Sequence, residues 1–270
     1  MCNRRSVQIL KAAVVAGALV LSQAASAGRV ILNNDEWTFS NYGFATEPAS
    51  TTTFARNLAS YMNSDGGPCN LLVNTDNFGL TGSSFNAALT GAGCSVSYGP
   101  AVPDLATLSA YDGVLVGAHP YGYIASVFTD YVNSGHSVYI AGGTGISDED
   151  SYWDTLTHAF GLDFGPSYNG IAGTVPIASG DPLLAGVPQL YFNNGNTVSL
   201  FGADPNAHVI AALDGAGLLG VYDDTLPAPG VGGTLRGADS GDPVHVPEPA
   251  TLAVLGVGLA GLGFTRRRPG

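Results

Sequence analysis

The chain predicts an α/β fold: a mostly parallel sheet flanked by helices, with an antiparallel C-terminal extension. Three observations carry that expectation. Up to about residue 165, short apolar runs alternate with segments of helical spacing, the order that builds parallel βαβ units. The runs are continuously apolar, as strands are when helices cover both faces of their sheet. Beyond that point helical spacing stops and strand-like runs follow one another.

Residues 29–32 form the first strand, ending at the polar stretch Asn33-Asn34-Asp35-Glu36-Trp37. Residues 50–62 place Phe54, Leu58, Tyr61 and Met62 at helical spacing. Leu71-Leu72-Val73 is the second buried run and ends at Asn74-Thr75-Asp76. Residues 85–89 read as a short helix stopped by Gly91-Ala92-Gly93, and residues 95–98 alternate like a strand. A helical turn at Leu105 and Leu108 precedes the third apolar run, residues 113–117. Ile124, Val127, Phe128, Tyr131 and Val132 then follow helical spacing up to Asn133-Ser134-Gly135. Residues 138–141 are the fourth apolar run and enter the turn Gly142-Gly143-Thr144-Gly145. Residues 147–160 form an amphipathic helix, with Ser147-Asp148-Glu149-Asp150 as its capping box and Gly161 as its stop. Residues 174–177, 189–192, 197–200 and 208–211 are the later strands, and Asn194-Gly195 predicts a hairpin between two of them.

Both ends read as addresses. A charged start (Arg4, Arg5, Lys11), an apolar run over residues 12–21 and Ala25-Ser26-Ala27 make a signal peptide over 1–27. The apolar run is shorter than the roughly 20 residues that span a bilayer. Arg4-Arg5 hints at a twin-arginine signal, but Ser6-Val7-Gln8 fits it poorly, so general secretion is expected. The C-terminus reads Val246-Pro247-Glu248-Pro249, then an apolar, Gly-rich run over 251–264, then Arg266-Arg267-Arg268. It resembles the PEP-CTERM sorting signal of Gram-negative bacteria. That resemblance implies an exosortase that cuts near Pro247-Glu248-Pro249 and passes the body to the cell surface or the medium. Before the cut, the short apolar helix would hold the precursor in the membrane, with the arginines on the cytoplasmic side. A permanent tail anchor is the rival reading. The expected organisation is a signal peptide at 1–27, an α/β domain at 28–224, a Gly-, Pro- and Asp-rich linker at 225–246 and a sorting tail at 247–270.

The precursor carries a charge of −12, but its two ends hold most of its bases. Residues 28–246 keep Arg29, Arg56 and Arg236 against 20 carboxylates, about −17, with no lysine. A nucleic-acid partner and a basic membrane-surface anchor are both excluded on that balance. No P-loop and no Gly-x-Ser-x-Gly elbow occurs. Cys69 and Cys94 remain in an exported body and are expected to form one disulfide, two buried thiols being the alternative. His119, His136, His158, His208 and His245 form no His-x-His motif and no histidine pair at i, i+4, and the acidic group Asp148, Glu149, Asp150 and Asp154 lacks the spacing of an EF-hand loop. No metal and no cofactor are therefore expected.

The stretch Tyr111-Asp112-Gly113-Val114-Leu115-Val116-Gly117, a following helix, and then residues 131–143 ending in Gly142-Gly143 are similar to class I glutamine amidotransferase-like, flavodoxin-like domains. The similarity covers roughly residues 29–165. It implies a nucleophilic Cys on a sharp strand-to-helix turn, with His and Glu partners. The matching turn, residues 142–145, has no Cys, and without a thiolate that chemistry cannot begin. Thr144 or Ser147 as a substitute nucleophile stands against turn and cap roles for the same residues. No catalytic residue is assigned. Asp35, Asp76, His119 and Thr144 all fall at carboxyl ends of predicted strands, where open α/β sheets bind ligands, and form the candidate ligand rim. The expected function is an exported surface or matrix protein, a non-catalytic binding or structural module. Its partners would be the secretion machinery, an exosortase, and exopolysaccharide or another surface component. The alternative is a secreted hydrolase working in a strand-end crevice near His119.

Overall fold

The computed structural model describes residues 28–63, 66–99, 104–118 and 120–225. The expected signal peptide, most of the linker, the sorting tail and His119 lie outside the described residues. The chain runs β1 (Arg29–Asn33), α1 (Asn41–Thr46), α2 (Pro48–Met62), β2 (Asn70–Val73), α3 (Ser83–Gly91), β3 (Ser95–Tyr98), α4 (Leu105–Leu108), β4 (Gly113–Gly117), α5 (Ala125–Asn133), β5 (Ser137–Ala141) and α6 (Glu149–Thr157). Then come β6 (Leu162–Tyr168), β7 (Ala172–Pro176), β8 (Gln189–Asn193), β9 (Asn196–Leu200), β10 (Ala207–Leu213) and β11 (Ala216–Asp223).

Among the described residues, nine strands share one sheet in the order β3-β2-β4-β5-β1-β11-β9-β6, with β10 also paired to β11. The neighbours from β3 to β1 are parallel, and those from β1 onward are antiparallel, so the sheet is mixed. Alternate residues of the parallel strands serve two cores. Ile31, Leu71, Val73, Leu115 and Tyr139 meet Phe54, Leu58 and Met62 of α2 and Phe85 and Leu89 of α3. Val30, Leu32, Val114, Val116, Val138 and Ile140 meet Phe128 and Tyr131 of α5 and Trp153 and Leu156 of α6. This two-sided burial is why the strands read as continuous apolar runs. α2 begins at Pro48, which suits the first helical turn because its missing N–H has no partner there anyway.

Cys69 and Cys94 are joined by a disulfide that ties the approach to β2 to the approach to β3. Two local expectations are corrected. Asn194-Gly195 does not turn a hairpin: β8 pairs with β7 in a separate two-stranded sheet, whereas β9 pairs with β6 and β11. A two-residue turn through Asp214 and Gly215, both at positive φ, does join β10 to β11 as a hairpin. The capping box at Ser147 is absent, since α6 begins at Glu149 behind Asp148, which sits in the left-handed region and makes no side-chain cap. Glu149 instead turns its carboxylate toward Thr144.

Candidate functional site

β1 and β5 lie side by side in parallel, with Asn33 opposite Ala141. After β1 the chain crosses to the face of α2; after β5 it crosses to the face of α6. Their carboxyl ends therefore form a topological switch point, the place where an open α/β sheet leaves a crevice.

Three carboxyl groups gather there. Asp35 is fully buried and accepts the Trp37 N–H at 2.8 Å, opening the 3-10 turn Glu36–Phe39; it also accepts the N–H of Asn193. Burial pushes its carboxyl up to about 6, against the hydrogen bonds of Trp37, Asn193 and Gly195. Glu36 is buried and accepts from Asn77 Nδ2. Burial pushes it up to about 7; the Asn77 bond opposes this, and the charges of Asp35 and Glu149 add to it. Glu149, the first residue of α6, accepts the Thr144 hydroxyl at 2.6 Å and the Thr144 N–H at 3.2 Å. Burial raises its carboxyl too, with the Asp35 charge contributing. The three groups thus feel one another, and the rim holds protons at a pH where surface carboxyls have lost theirs.

The Asn194-Gly195 turn closes over this group. A Cβ on Gly195 would stand 1.9 Å from the Asn34 carbonyl oxygen, and one on Gly143, at φ +67°, would stand 2.7 Å from Gly195 Cα. Glycine is needed at both places because backbone passes over backbone. Asn34 itself is fully buried, and neither atom of its side-chain amide has a hydrogen-bond partner. Beside Glu149, a crevice of about 290 Å³ is lined by Ile146, Asp148, Pro166, Tyr168 and Asn196.

An aromatic group adjoins the acids. Trp37 meets Phe78 edge-on at 4.9 Å and Tyr42 at 6.1 Å, and Tyr42 meets Tyr191 at 4.9 Å. Tyr42 is 54% exposed and Phe78 44%. Asp35 fastens this group from beneath, since it takes one N–H from the Trp37 turn and another from Asn193 at the end of the strand that carries Tyr191.

Of the expected rim, Asp35 and Thr144 come together around Glu149. Asp76 is exposed in the loop after β2, where its neighbours Thr75 and Asn77 carry the contacts, and His119 lies outside the described residues. The Thr144 hydroxyl donates to Glu149 at 2.6 Å, which ties the turn after β5 to the start of α6. Sequence reading did not single out Glu36 or Trp37 as site residues, and it weighed Glu149 only within a capping box and an acidic group. A buried acid directly before a capped aromatic turn is the signal that could have found the first.

The family model for the PEP-CTERM protein-sorting motif matches residues 245–268. No curated protein matches the chain. Among solved structures, the chain is similar to the structure of IMPa from Pseudomonas aeruginosa in complex with an O-glycopeptide, at 14% identity and a TM-score of 0.33. That similarity covers 48% of this chain and 15% of the other, so the chain spans a small part of that protein's length. The sorting motif marks this chain as an exported substrate of exosortase.

Proposed function

We propose that the exported body is a non-catalytic surface module that binds a neutral glycan at the β1–β5 rim. The aromatic group of Trp37, Tyr42, Phe78 and Tyr191 carries this reading. Exposed aromatic faces stack on the apolar faces of sugar rings, and adjacent carboxyl and amide groups take their hydroxyls. The charge of about −17, without lysine, repels polyanionic polymers and favours a neutral one. In this reading residues 1–27 are removed on export, the run over 251–264 holds the precursor in the membrane, and exosortase cuts near Pro247-Glu248-Pro249. The scaffold is that of a class I glutamine amidotransferase-like domain that has lost its nucleophile.

Trp37 provides the test. Trp153 is fully buried, so a change in tryptophan emission on adding an oligosaccharide reports on Trp37. Neutral oligosaccharides should shift the emission of the mature protein, polyuronates should not, and Trp37→Ala should weaken binding at least tenfold. A neutral panel that leaves emission unchanged, or a Trp37→Ala protein that binds as well as wild type, overturns the reading.

A hydrolase is the second reading, favoured by one observation. Glu36, pushed up to about 7 beside Asp35, keeps a proton available near neutral pH, as a general acid must. Release of reducing ends by wild type and its loss in Glu36→Gln would select this reading over simple binding.

A further inference from the structure

Away from the rim, the end of α6 and the start of β6 bring three ligand-type side chains together. Asp154 and His158 stand one helical turn apart, and Gly161, at φ +68°, ends that helical stretch so that β6 returns Asp163 beside them. The histidine census of the sequence looks only for paired histidines and misses this group. We propose that Asp154, His158 and Asp163 form a binding site for a divalent transition-metal ion of the zinc class.

The geometry is that of a coordination face. His158 Nε2 lies 3.4 Å from Asp154 Oδ1 and 3.1 Å from Asp163 Oδ1, and all three ligand atoms fall within 4.8 Å of one another. Nitrogen and oxygen ligands about 2.0–2.1 Å from a tetrahedral ion are separated by about 3.3 Å. Both measured edges therefore lie close to that value before any ion is placed.

The ring is also aimed. Phe201 stacks flat on the His158 imidazole at 3.6 Å with the planes 7° apart, which fixes the plane in which Nε2 points at the carboxylates. Two carboxylates converge on this single ring nitrogen, and among the described residues no lysine or arginine forms an ion pair with either one. One N–H cannot serve both oxygens at full strength, whereas a divalent ion satisfies both at once. The side chains are partly exposed, at 39%, 27% and 30%, which leaves an open side for water to complete the coordination. One imidazole with two carboxylates suits zinc and its neighbours, while calcium asks for six to eight oxygens.

The test uses tag-free mature protein. Zinc titrated by calorimetry should bind one ion per chain, and Co2+ should give the visible absorption of a tetrahedral site. His158→Gln and Asp163→Asn should each weaken zinc at least tenfold and abolish the Co2+ band. Glu149→Gln, which alters the rim acids instead, should change neither readout. Circular dichroism matching wild type qualifies each variant, and Asp154→Asn, at the most exposed ligand, replaces any that fails to fold. Absence of stoichiometric zinc binding overturns the proposal. So does binding that survives the three ligand substitutions, or binding that only Glu149→Gln removes.

Discussion

Acidification from pH 7 to pH 4 should make this protein more stable, the reverse of ordinary acid denaturation. Asp35 carries the argument. In the unfolded chain its carboxyl titrates near 3.8; in the folded chain burial raises it to about 6. Between these values the native state binds more protons than the unfolded state, so stability falls as pH rises. The contribution is complete below about 4 and gone above about 6. A shift of roughly two pH units corresponds to about 3 kcal/mol. For a body near 200 residues, about 2–4 °C per kcal/mol translates that into a rise in Tm of roughly 6–12 °C. Glu36 and Glu149 are raised by burial as well and act in the same direction. Against its burial, the hydrogen bonds of Thr225 and Tyr61, with the Arg29 charge adding, hold Asp223 below the usual carboxylate range, and it reverses the trend under about pH 4. Thermal melts of mature protein across pH 3–8 should therefore peak in mild acid. Asp35→Asn should flatten the slope between pH 4 and 6, whatever it does to absolute stability. A Tm that climbs steadily from pH 4 to 7, or an unchanged slope in Asp35→Asn, would refute the buried-carboxyl reasoning.

Reducing the Cys69–Cys94 disulfide should lower stability by about 3 kcal/mol, read as a shift in urea midpoint with and without reductant. Gly195→Ala should cost at least about 2 kcal/mol, because its Cβ would press into the Asn34 carbonyl; it should also weaken glycan binding, since that turn fastens Asp35. A Gly195→Ala protein with wild-type melting and wild-type binding would show that the turn is free to move.

The parallel half of the sheet was legible because each of its inner strands is buried on both faces, and the helices between them show one apolar stripe. The antiparallel half was legible only in part. β11 lies beside β1 at the centre of the sheet, yet Gly217 and Gly220 break its pattern. Those glycines answer to neighbours: a Cβ on Gly217 would stand 2.1 Å from the Val198 carbonyl oxygen. Asn194-Gly195 carries a hairpin's composition, but its conformation serves the distant Asn34 and Asp35, which no local rule reports. The site was half legible for the same reason. Asp35 and Thr144 follow from strand ends, whereas Glu149 reads as a helix-start acid until β1 and β5 are placed side by side.

The pairing of β1 with β11 has a mechanical consequence. Arg29 stands opposite Asp223, so the described chain starts and stops at one pole of the sheet, while Asp35 and Trp37 lie at the other. A pull on the chain beyond Thr225, resisted by anything gripped at the rim, runs along β11 rather than across it. The hydrogen bonds between antiparallel strands lie perpendicular to that load. The five paired positions from Arg29–Asp223 to Asn33–Leu219 must then fail together in shear instead of opening one at a time like a zip. The Arg29–Asp223 ion pair, at 2.8 Å, is the first link the load reaches.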